Sequence, residues 1–372
     1  MTRSTPIKRR SFLKAASGSV GAGALAASFG APALAKDRIR WRMVTAWLPN
    51  FPGAGTAATL FARRIEAQSD GRLSIQVYAA GELVPAFEAM DAVSKGTAQV
   101  GHGAPYYWKG KLTAMQYLAA IPFGPTAQEQ NAWYQFGGGQ ELADRLYGQL
   151  NCKFFPCGNT GVQMGGWFNR EINSIRDFSG LKMRIPGLGG EVLRAAGATP
   201  DNLPLGEILP ALQSGRIDAT EFVGPYNDLA LGLYRNARYY YYPGWHEPAT
   251  CLDCFINLEA WNALSDDLKA IVEGVATQVN QLVLSEFVSR NGLALNTLVN
   301  QHGVELRPFS DETLTSLGQL SGEVLADLTA SDAESAEVFS SISAFRREHM
   351  GWSDISEHAV LSARGLPYDW PG

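Results

Sequence analysis

Residues 180–187 read GLKMRIPG, and residues 198–221 read ATPDNLPLGEILPALQSGRIDATE. The first stretch predicts a strand that ends at Arg184, because Pro186-Gly187 interrupts it. The second predicts a strand that ends at Glu221, before Gly224-Pro225. A helical pattern joins them, so the segment is an alternating α/β unit, in which ligands bind beyond the carboxyl ends of strands. Arg184 is therefore placed to hold a carboxylate through two hydrogen bonds. The alternative is a surface arginine whose distant ion-pair partner is Glu221.

Strand and helix patterns alternate on both sides of this segment. Before it, strands are predicted at 39–45, 73–78, 99–103, 152–157 and 162–168, with helices at 55–68, 85–95 and 126–150. After it, strands are predicted at 251–258 and 304–308, with helices at 265–302, 311–330 and 334–349. The pattern indicates two α/β units connected by two chain crossings, which favours a hinge. The 265–302 helix is long enough to buttress both units.

The first 35 residues have the features of a bacterial export leader of the twin-arginine kind. Lys8-Arg9-Arg10 precedes a weakly apolar Ala/Gly/Ser run, and Ala33-Leu34-Ala35 forms a cleavage site of small residues. An uncleaved membrane anchor is the alternative, but the run falls short of the roughly 20 apolar residues of a span. We expect export to the periplasm.

The net charge of the chain excludes classes of partner, and its length indicates the number of domains. The chain has 31 basic and 36 acidic residues, and the leader holds five of the basic ones, so the remainder carries a net charge of about −10. This excess argues against nucleic acid and anionic membrane surfaces as partners, since both require basic patches. The roughly 340 residues after the leader exceed one hydrophobic core and favour two domains.

The four cysteines, Cys152, Cys157, Cys251 and Cys254, lie in two strand-like runs. Residues three or five apart on a strand point to opposite faces, so neither local pair should form a disulfide. A disulfide between the two runs, buried free thiols and a zinc site remain as alternatives.

A pocket constellation is predicted from residues near the strand ends. Strand alternation places Gln163, Gly165 and Trp167 on one face, as a possible ligand wall. Tyr106, after the 99–103 strand, offers a hydroxyl from the other unit, although aromatic packing is an equal alternative. Glu221 and Glu247 would repel a bound carboxylate unless a cation lay between them. Hard cations take carboxylate, amide and backbone oxygens.

We also considered an enzyme. Glu221 and Glu247 form a possible carboxylate pair for glycoside cleavage. However, the chain lacks a nucleophile elbow, a P-loop or a dinucleotide fingerprint in proper context. Its five histidines, including His246, show no ligand spacing. A binding protein is therefore the preferred interpretation, with an exported enzyme acting on a small organic acid or sugar as the alternative.

Two motifs resemble one family. The run Asp177–Pro186 (DFSGLKMRIP) and the run Leu212–Ala219 (LQSGRIDA) are similar to hallmarks of the extracytoplasmic solute-binding proteins of tripartite ATP-independent periplasmic (TRAP) transporters. The likeness extends from about Trp41 to about Met350. It implies a two-lobed, type II-like periplasmic binding protein with a hinge and a long buttressing helix. It also implies partner membrane subunits.

The resemblance is greatest to the branch that binds 2-oxo acids, and it implies roles for individual residues. Gln163 and Arg184 match substrate positions, while Glu221, Phe222 and Glu247 match metal positions, with Gln163 completing the metal set. Phe222 stands where that branch has tryptophan, so its ring would alter the pocket if it contacts substrate. The 2-oxo acid branch implies sodium, and a lactate-binding branch implies calcium. C-terminal helices exchanged in a homodimer are also implied.

These inferences give a division of the chain. We expect a signal peptide at 1–35, a first lobe at 36–161 and 251–310, a second lobe at 162–250 and C-terminal helices at 311–372 that serve dimerisation. The expected function is a periplasmic receptor, not an enzyme, that captures a small monocarboxylate such as pyruvate or lactate with a metal ion.

Overall fold

The computed structural model describes residues 38–369 of the chain, so the predicted signal peptide lies outside the described residues. The strands are β1 (Ile39–Thr45), β2 (Leu73–Tyr78), β3 (Val100–Gly103), β4 (Cys152–Asn159), β5 (Gly166–Phe168), β6 (Lys182–Arg184), β7 (Thr199–Asp201), β8 (Ala219–Thr220), β9 (Tyr239–Tyr242), β10 (Cys251–Asn257) and β11 (Glu305–Pro308). The α-helices are α1 (Ala54–Gln68), α2 (Ala89–Ser94), α3 (Met115–Ala119), α4 (Ala127–Phe136), α5 (Gly139–Gln149), α6 (Gly187–Ala195), α7 (Leu205–Gln213), α8 (Pro225–Leu231), α9 (Leu258–Asn262), α10 (Asp266–His302), α11 (Asp311–Ser331), α12 (Ala333–Ser353) and α13 (Ala359–Arg364).

The first lobe is built on a five-stranded sheet with the order β2-β1-β3-β10-β4. β1 runs parallel to β2 and β3, while β10 runs antiparallel to both of its neighbours. The predicted bounds of β1 and β2 are confirmed. The pattern was readable because these strands carry apolar residues that enter the core, such as Met43 and Leu73. The return of the chain at β10 is also confirmed.

The second lobe is built on a six-stranded sheet with the order β11-β9-β5-β8-β6-β7. One predicted boundary is wrong here. Residues 305–308 were expected in the first lobe, but β11 pairs in parallel with β9, so the chain enters the second lobe again after α10. Without β11, β9 would be an edge strand with unpaired backbone N–H and C=O groups, and β11 supplies their partners. The order of strands and helices along the chain does not reveal this pairing.

The predicted buttressing helix is α10, which spans 37 residues and contacts both lobes. On the first-lobe side, Asn280 accepts a hydrogen bond from the backbone N–H of Gly158 in β4 at 3.1 Å. On the other side, the ring of Phe287 lies 6.3 Å from that of Tyr226 in α8. One element therefore carries packing from each lobe, in agreement with the expected two-lobed α/β fold.

Two predicted elements differ from the structure. The helix expected at 126–150 is two helices, because Gly137 and Gly138 interrupt it and Gly138 adopts a left-handed conformation with φ of 82°. The strand expected at 162–168 is regular only from Gly166 onward. Gln163 and Gly165 therefore lie in an irregular segment, where strand alternation does not determine side-chain direction.

All four cysteines are buried free thiols, which was one of the three alternatives. Within residues 38–369, no helix combines the length and the apolar character that a membrane crossing requires.

Candidate functional site

The site begins where β6 and β8 end side by side. Arg184 is the last residue of β6 and pairs in register with Thr220 of β8, so Glu221 follows directly at the same sheet edge. The backbone N–H of Glu221 donates to the Arg184 carbonyl at 3.2 Å. The two side chains form an ion pair with 1% exposure each. The alternative interpretation of the sequence, a surface arginine that pairs with Glu221, was correct about the ion pair. It was wrong about the location, because both side chains are buried.

The guanidinium of Arg184 is held by several acceptors. Nε donates to the Leu203 carbonyl at 3.3 Å, and Nη1 donates to the carbonyl and the carboxylate of Glu221. Nη2 is buried and has no hydrogen-bond partner among the described residues. Burial is the largest single influence and disfavours the charge, but Glu221, Tyr107, Tyr106 and Glu247 together outweigh it and raise the pKa of Arg184. The result is a fixed cation with one unused donor group.

Gln163 and Glu247 form the second part of the site. The Gln163 amide Nε2 donates to Glu247 Oε2 at 2.7 Å and to Thr250 Oγ1 at 2.9 Å. Backbone bonds fix the two segments together, since the N–H of Gln163 donates to the Glu247 carbonyl and that of Gly244 to the Gln163 carbonyl. Gln163 Oε1 is buried without a partner in the described part of the chain.

The ionised form of Glu247 is unfavourable in this environment. Burial, and then the negative charge of Glu221, raise its pKa to about 7. Two neighbouring buried carboxylates repel each other when both are ionised. Within residues 38–369, the ion pair of Arg184 is with Glu221 and not with Glu247. A cation beside Glu247 would relieve this repulsion.

His246 is a member of the site that the sequence patterns missed. Its Nε2 lies 3.4 Å from Glu221 Oε2, and its side chain is 1% exposed. Donor atoms of Glu221, His246 and Glu247 all lie within 4.8 Å of one another. Spacing along the chain did not reveal this group, because Glu221 comes from a distant strand. The adjacency of His246 to a predicted metal position was the available signal.

The first lobe supplies an aromatic wall from the 3-10 helix Pro105–Trp108. Burial and the charge of Glu247 raise the pKa of Tyr106 well above its usual range. Burial also raises the pKa of Tyr107 to about 12, although the nearby guanidinium of Arg184 opposes this shift. The ring of Tyr106 packs on Gly187, where an added Cβ would lie 3.2 Å from it. Tyr107 is a second residue that sequence reasoning did not single out.

Phe222 is positioned at the boundary between the lobes. Its ring lies 5.4 Å from the guanidinium carbon of Arg184 and 5.5 Å from the ring of Phe51 in the first lobe. The side chain of Phe222 therefore contacts the predicted substrate arginine.

Trp167 does not fit the ligand wall that strand alternation predicted. It is fully buried, stacks on Tyr240 at 3.9 Å and donates to Asp228 Oδ2 at 2.9 Å. Gly165 lies against Phe309, which an added Cβ would approach to 2.4 Å. Both residues serve packing within the second lobe, whereas Gln163 reaches Glu247.

These residues fit a cation. Glu221 and Glu247 provide negative charge, and Gln163, whose amide Nε2 donates to Glu247, has a buried Oε1 without a partner in residues 38–369. Oxygen ligands of these kinds suit hard cations. The free Nη2 of Arg184 adds a donor for an anion beside them. The cluster therefore offers oxygen acceptors that suit a cation and, beside them, an N–H donor that suits an anion.

A two-lobed α/β fold with such a site defines a solute-binding protein. The family model of bacterial extracellular solute-binding protein, family 7 (DctP), matches residues 44–332. The chain belongs to this family, the periplasmic solute-binding proteins of TRAP transporters. The expected fold, receptor class and periplasmic location are confirmed at the family level.

Individual relatives carry more specific names. The chain is 40% identical over 319 residues to a monocarboxylate 2-oxoacid-binding periplasmic protein of Nostoc sp., covering 86% of this chain and 87% of that protein. It is 40% identical to a TRAP solute-binding protein of Pseudoalteromonas atlantica solved with sodium and pyruvate, with a TM-score of 0.86 over 89% of this chain and 100% of that one. A protein of Bordetella bronchiseptica, a dimer solved with calcium and picolinate, is 35% identical, with a TM-score of 0.86 over 88% and 97% of the chains.

Proposed function

We propose that this receptor captures a small 2-oxo monocarboxylate, with pyruvate as the reference ligand, together with a cation at the Arg184–Glu247 cluster. One observation supports this most strongly. A buried arginine donor group and a buried amide acceptor, Gln163 Oε1, both lack partners within the described structure. Unpaired buried polar groups cost about 1–3 kcal/mol each, so a ligand that pairs them is favoured.

Arg184, Gln163, Tyr106 and Phe222 are the proposed substrate residues. Nη2 of Arg184 would donate a hydrogen bond to the ligand carboxylate, and the Tyr106 hydroxyl would donate one to the keto or hydroxyl oxygen of the ligand. The Phe222 ring, which already contacts the guanidinium, would limit ligand size on that side. A 2-oxo or 2-hydroxy acid offers adjacent oxygens for an anion-binding donor and a cation at the same time.

Gln163, Glu221, Glu247 and the Phe222 carbonyl are the proposed cation ligands, with sodium or calcium as the ion. A bound cation would neutralise carboxylate charge and bind ligand oxygens. The Pseudoalteromonas and Bordetella relatives, with sodium and calcium respectively, support both choices. The charge count favours calcium slightly, because two glutamates and a monocarboxylate exceed Arg184 by two negative charges.

We infer that the protein is a receptor without enzymatic turnover. The family model that matches the chain is one of solute-binding proteins, and the 40% identical Nostoc relative is named as a binding protein, which supports this inference. Incubation with small organic acids, followed by product analysis, should show no turnover. Sustained product formation would favour the enzyme alternative.

A thermal-shift experiment tests the proposed ligand. Pyruvate and lactate are added to chelator-treated protein with sodium, with calcium or with neither. Ligand at about 100 times its dissociation constant should stabilise the fold by about 2.7 kcal/mol, and only when a cation is present. Propionate, which lacks the second oxygen group, is the matched control. The absence of any shift with all cations would refute the proposal.

We further propose that the receptor is exported by the twin-arginine route and forms a homodimer. The last turn of α12 and the segment after it expose apolar side chains, including Trp352 at 67% and Ile355 at 73%. Such a surface is unusual on a monomer and is expected to be covered by a second copy. Light scattering should give twice the monomer mass, and deletion of residues 351–372 should halve it. A monomeric full-length chain would contradict the dimer.

A further inference from the structure

We propose that the cleft between α11 and α12 is a second ligand site, which binds a monocarboxylate with an apolar tail, such as octanoate. The α11–α12 cleft has a volume of about 290 Å³. Among the described residues, its lining comes from these two helices and the 121–125 loop and includes no member of the Arg184–Glu247 cluster. The cleft is therefore separate from the site proposed for pyruvate.

The two helices that form the cleft are fixed to different lobes. Leu317 of α11 belongs to the second-lobe core, which also contains Phe168 and Tyr241. On the other side, Trp133 Nε1 of the first lobe donates to Ser341 Oγ of α12 at 3.1 Å. Each helix is therefore held in place by its own lobe, and the lobes set the width of the cleft.

The interior of the cleft is apolar, and two glycines of α11 leave it open. The apolar side chains that line it are those of Ile121, Phe123, Leu325, Phe339 and Ile342. Gly318 and Gly322, one helical turn apart, also line it. In the described structure, an added Cβ at Gly322 would meet nothing within 4 Å, and one at Gly318 would meet the Phe123 ring at 3.8 Å. Glycine weakens a helix interior relative to alanine, and close packing explains neither glycine, so their effect is to keep the cavity open.

Two arginines of α12, Arg346 and Arg347, give the cleft a positive charge. Arg346 is half-buried and Arg347 is exposed. Within residues 38–369, neither side chain forms an ion pair, and no aspartate or glutamate lines the cleft. Glu129 interacts electrostatically with Arg346, but its carboxylate accepts hydrogen bonds from Thr126 and Ser353. The guanidinium groups therefore remain free to pair with an anion.

Charge and apolar lining together select the class of ligand. A carboxylate suits guanidinium groups, since it accepts two parallel hydrogen bonds from one of them. An apolar tail would leave water for the apolar interior, which a phosphate or a dicarboxylate could not fill. At about 30 Å³ for each water-sized group, the cavity holds roughly ten non-hydrogen atoms, which is the size of octanoate.

Calorimetric titration of the full chain tests this assignment. The protein is first saturated with pyruvate and calcium, and is then titrated with butanoate, hexanoate and octanoate. We expect one octanoate site per chain, and each added methylene should tighten binding by about threefold to fourfold. 1-Octanol has the same tail without the charge and should bind at least about tenfold more weakly than octanoate.

Two variants locate the binding whether or not pyruvate occupies the interlobe site. Gly322→Leu fills the cavity from a position with open space, so it should weaken both octanoate and 1-octanol by about tenfold or more. The double variant Arg346→Gln/Arg347→Gln should weaken octanoate by about tenfold and leave 1-octanol unchanged, because only the carboxylate pairs with the arginines.

Matched controls lie outside the cleft. Gly274→Leu adds the same side chain at a position of α10 with open space, and Arg63→Gln/Arg64→Gln removes an adjacent pair of arginines from α1. Neither control should change the affinity for octanoate or 1-octanol.

A crystal structure of the unmodified chain with 8-bromooctanoate covers the case in which a variant does not fold. The anomalous signal of bromine should lie between α11 and α12. Bromine at another place, or a segment of a second copy in the cleft, would overturn the proposal. Octanoate affinity that does not depend on tail length, or that is unchanged in Gly322→Leu, would overturn it as well.

Discussion

Replacement of Arg184 by lysine keeps a positive charge beside Glu221 but removes the forked guanidinium. The lysine ammonium can still pair with the Glu221 carboxylate, which the guanidinium reaches through Nη1. It provides no counterpart to Nη2, which has no hydrogen-bond partner in residues 38–369 and which we assign to the ligand carboxylate. The substitution therefore separates the structural role of this residue from its proposed role in binding.

The expected magnitude follows from the lost contact. A hydrogen bond to a charged group contributes about 1.5–3 kcal/mol, which corresponds to a rise in the pyruvate dissociation constant of roughly tenfold to a hundredfold. The loss of the 3.3 Å contact with the Leu203 carbonyl should cost about 1 kcal/mol of folding stability. By contrast, Arg184→Met would leave Glu221 as an uncompensated buried charge and should cost about 3–5 kcal/mol.

Two measurements on the same samples check these values. Calorimetric titration with pyruvate in calcium buffer gives the dissociation constant, and urea unfolding without ligand gives the stability. Arg216→Lys is the control, because Arg216 is exposed and pairs with Asp201 at the surface, at 3.0 Å. It should leave pyruvate affinity unchanged. An Arg184→Lys protein that binds pyruvate as tightly as the unmodified protein would refute the role of the guanidinium.

Two further predictions concern residues around the site. Burial raises the pKa of Asp228 to about 7, so its stabilising contribution is complete below the ordinary value of 3.8 and is lost as pH rises through about 7. The Asp228→Asn variant cannot ionise at this position. Between about pH 4 and about pH 9, the unfolding free energy of the unmodified protein should therefore fall by up to about 4 kcal/mol relative to that of the variant. Urea unfolding that gives the same difference between the two proteins at every pH would contradict this prediction. Gly187→Ala, at φ of 58° and in contact with Tyr106, should weaken pyruvate binding in addition to a stability cost of about 1 kcal/mol. Gly215→Ala, at φ of 72° in open space, should show only the stability cost. Equal pyruvate affinities for the two variants would contradict a contribution of the Tyr106–Gly187 contact to binding.

Local patterns predicted the parts of the fold that depend on local chemistry. The end of β6 at Arg184 was predictable, and that of β8 to within one residue, because Pro186-Gly187 and Gly224-Pro225 follow closely and interrupt the strands. β11 was assigned to the wrong lobe, since the edge at which a strand pairs depends on the path of the whole chain.

In the candidate site, too, residue types were predictable from the sequence, whereas contacts between distant segments were not. Gln163, Arg184, Glu221 and Glu247 were selected by residue type and by family resemblance, and the structure brings these side chains together. His246 was missed because Glu221 lies 25 residues earlier in the chain, and only the adjacency of His246 to Glu247 pointed to the cluster. The direction of Trp167 was wrong because an irregular segment precedes β5 and strand alternation does not extend through it.

The account depends most on the joint binding of an acid group by Arg184 and by a cation. A crystal structure of the protein grown with pyruvate and calcium tests this directly. We predict pyruvate carboxylate density within hydrogen-bond distance of Arg184 Nη2, and a cation bound to Gln163 Oε1, Glu221 and Glu247. Pyruvate bound elsewhere, with these groups unchanged, would contradict the account.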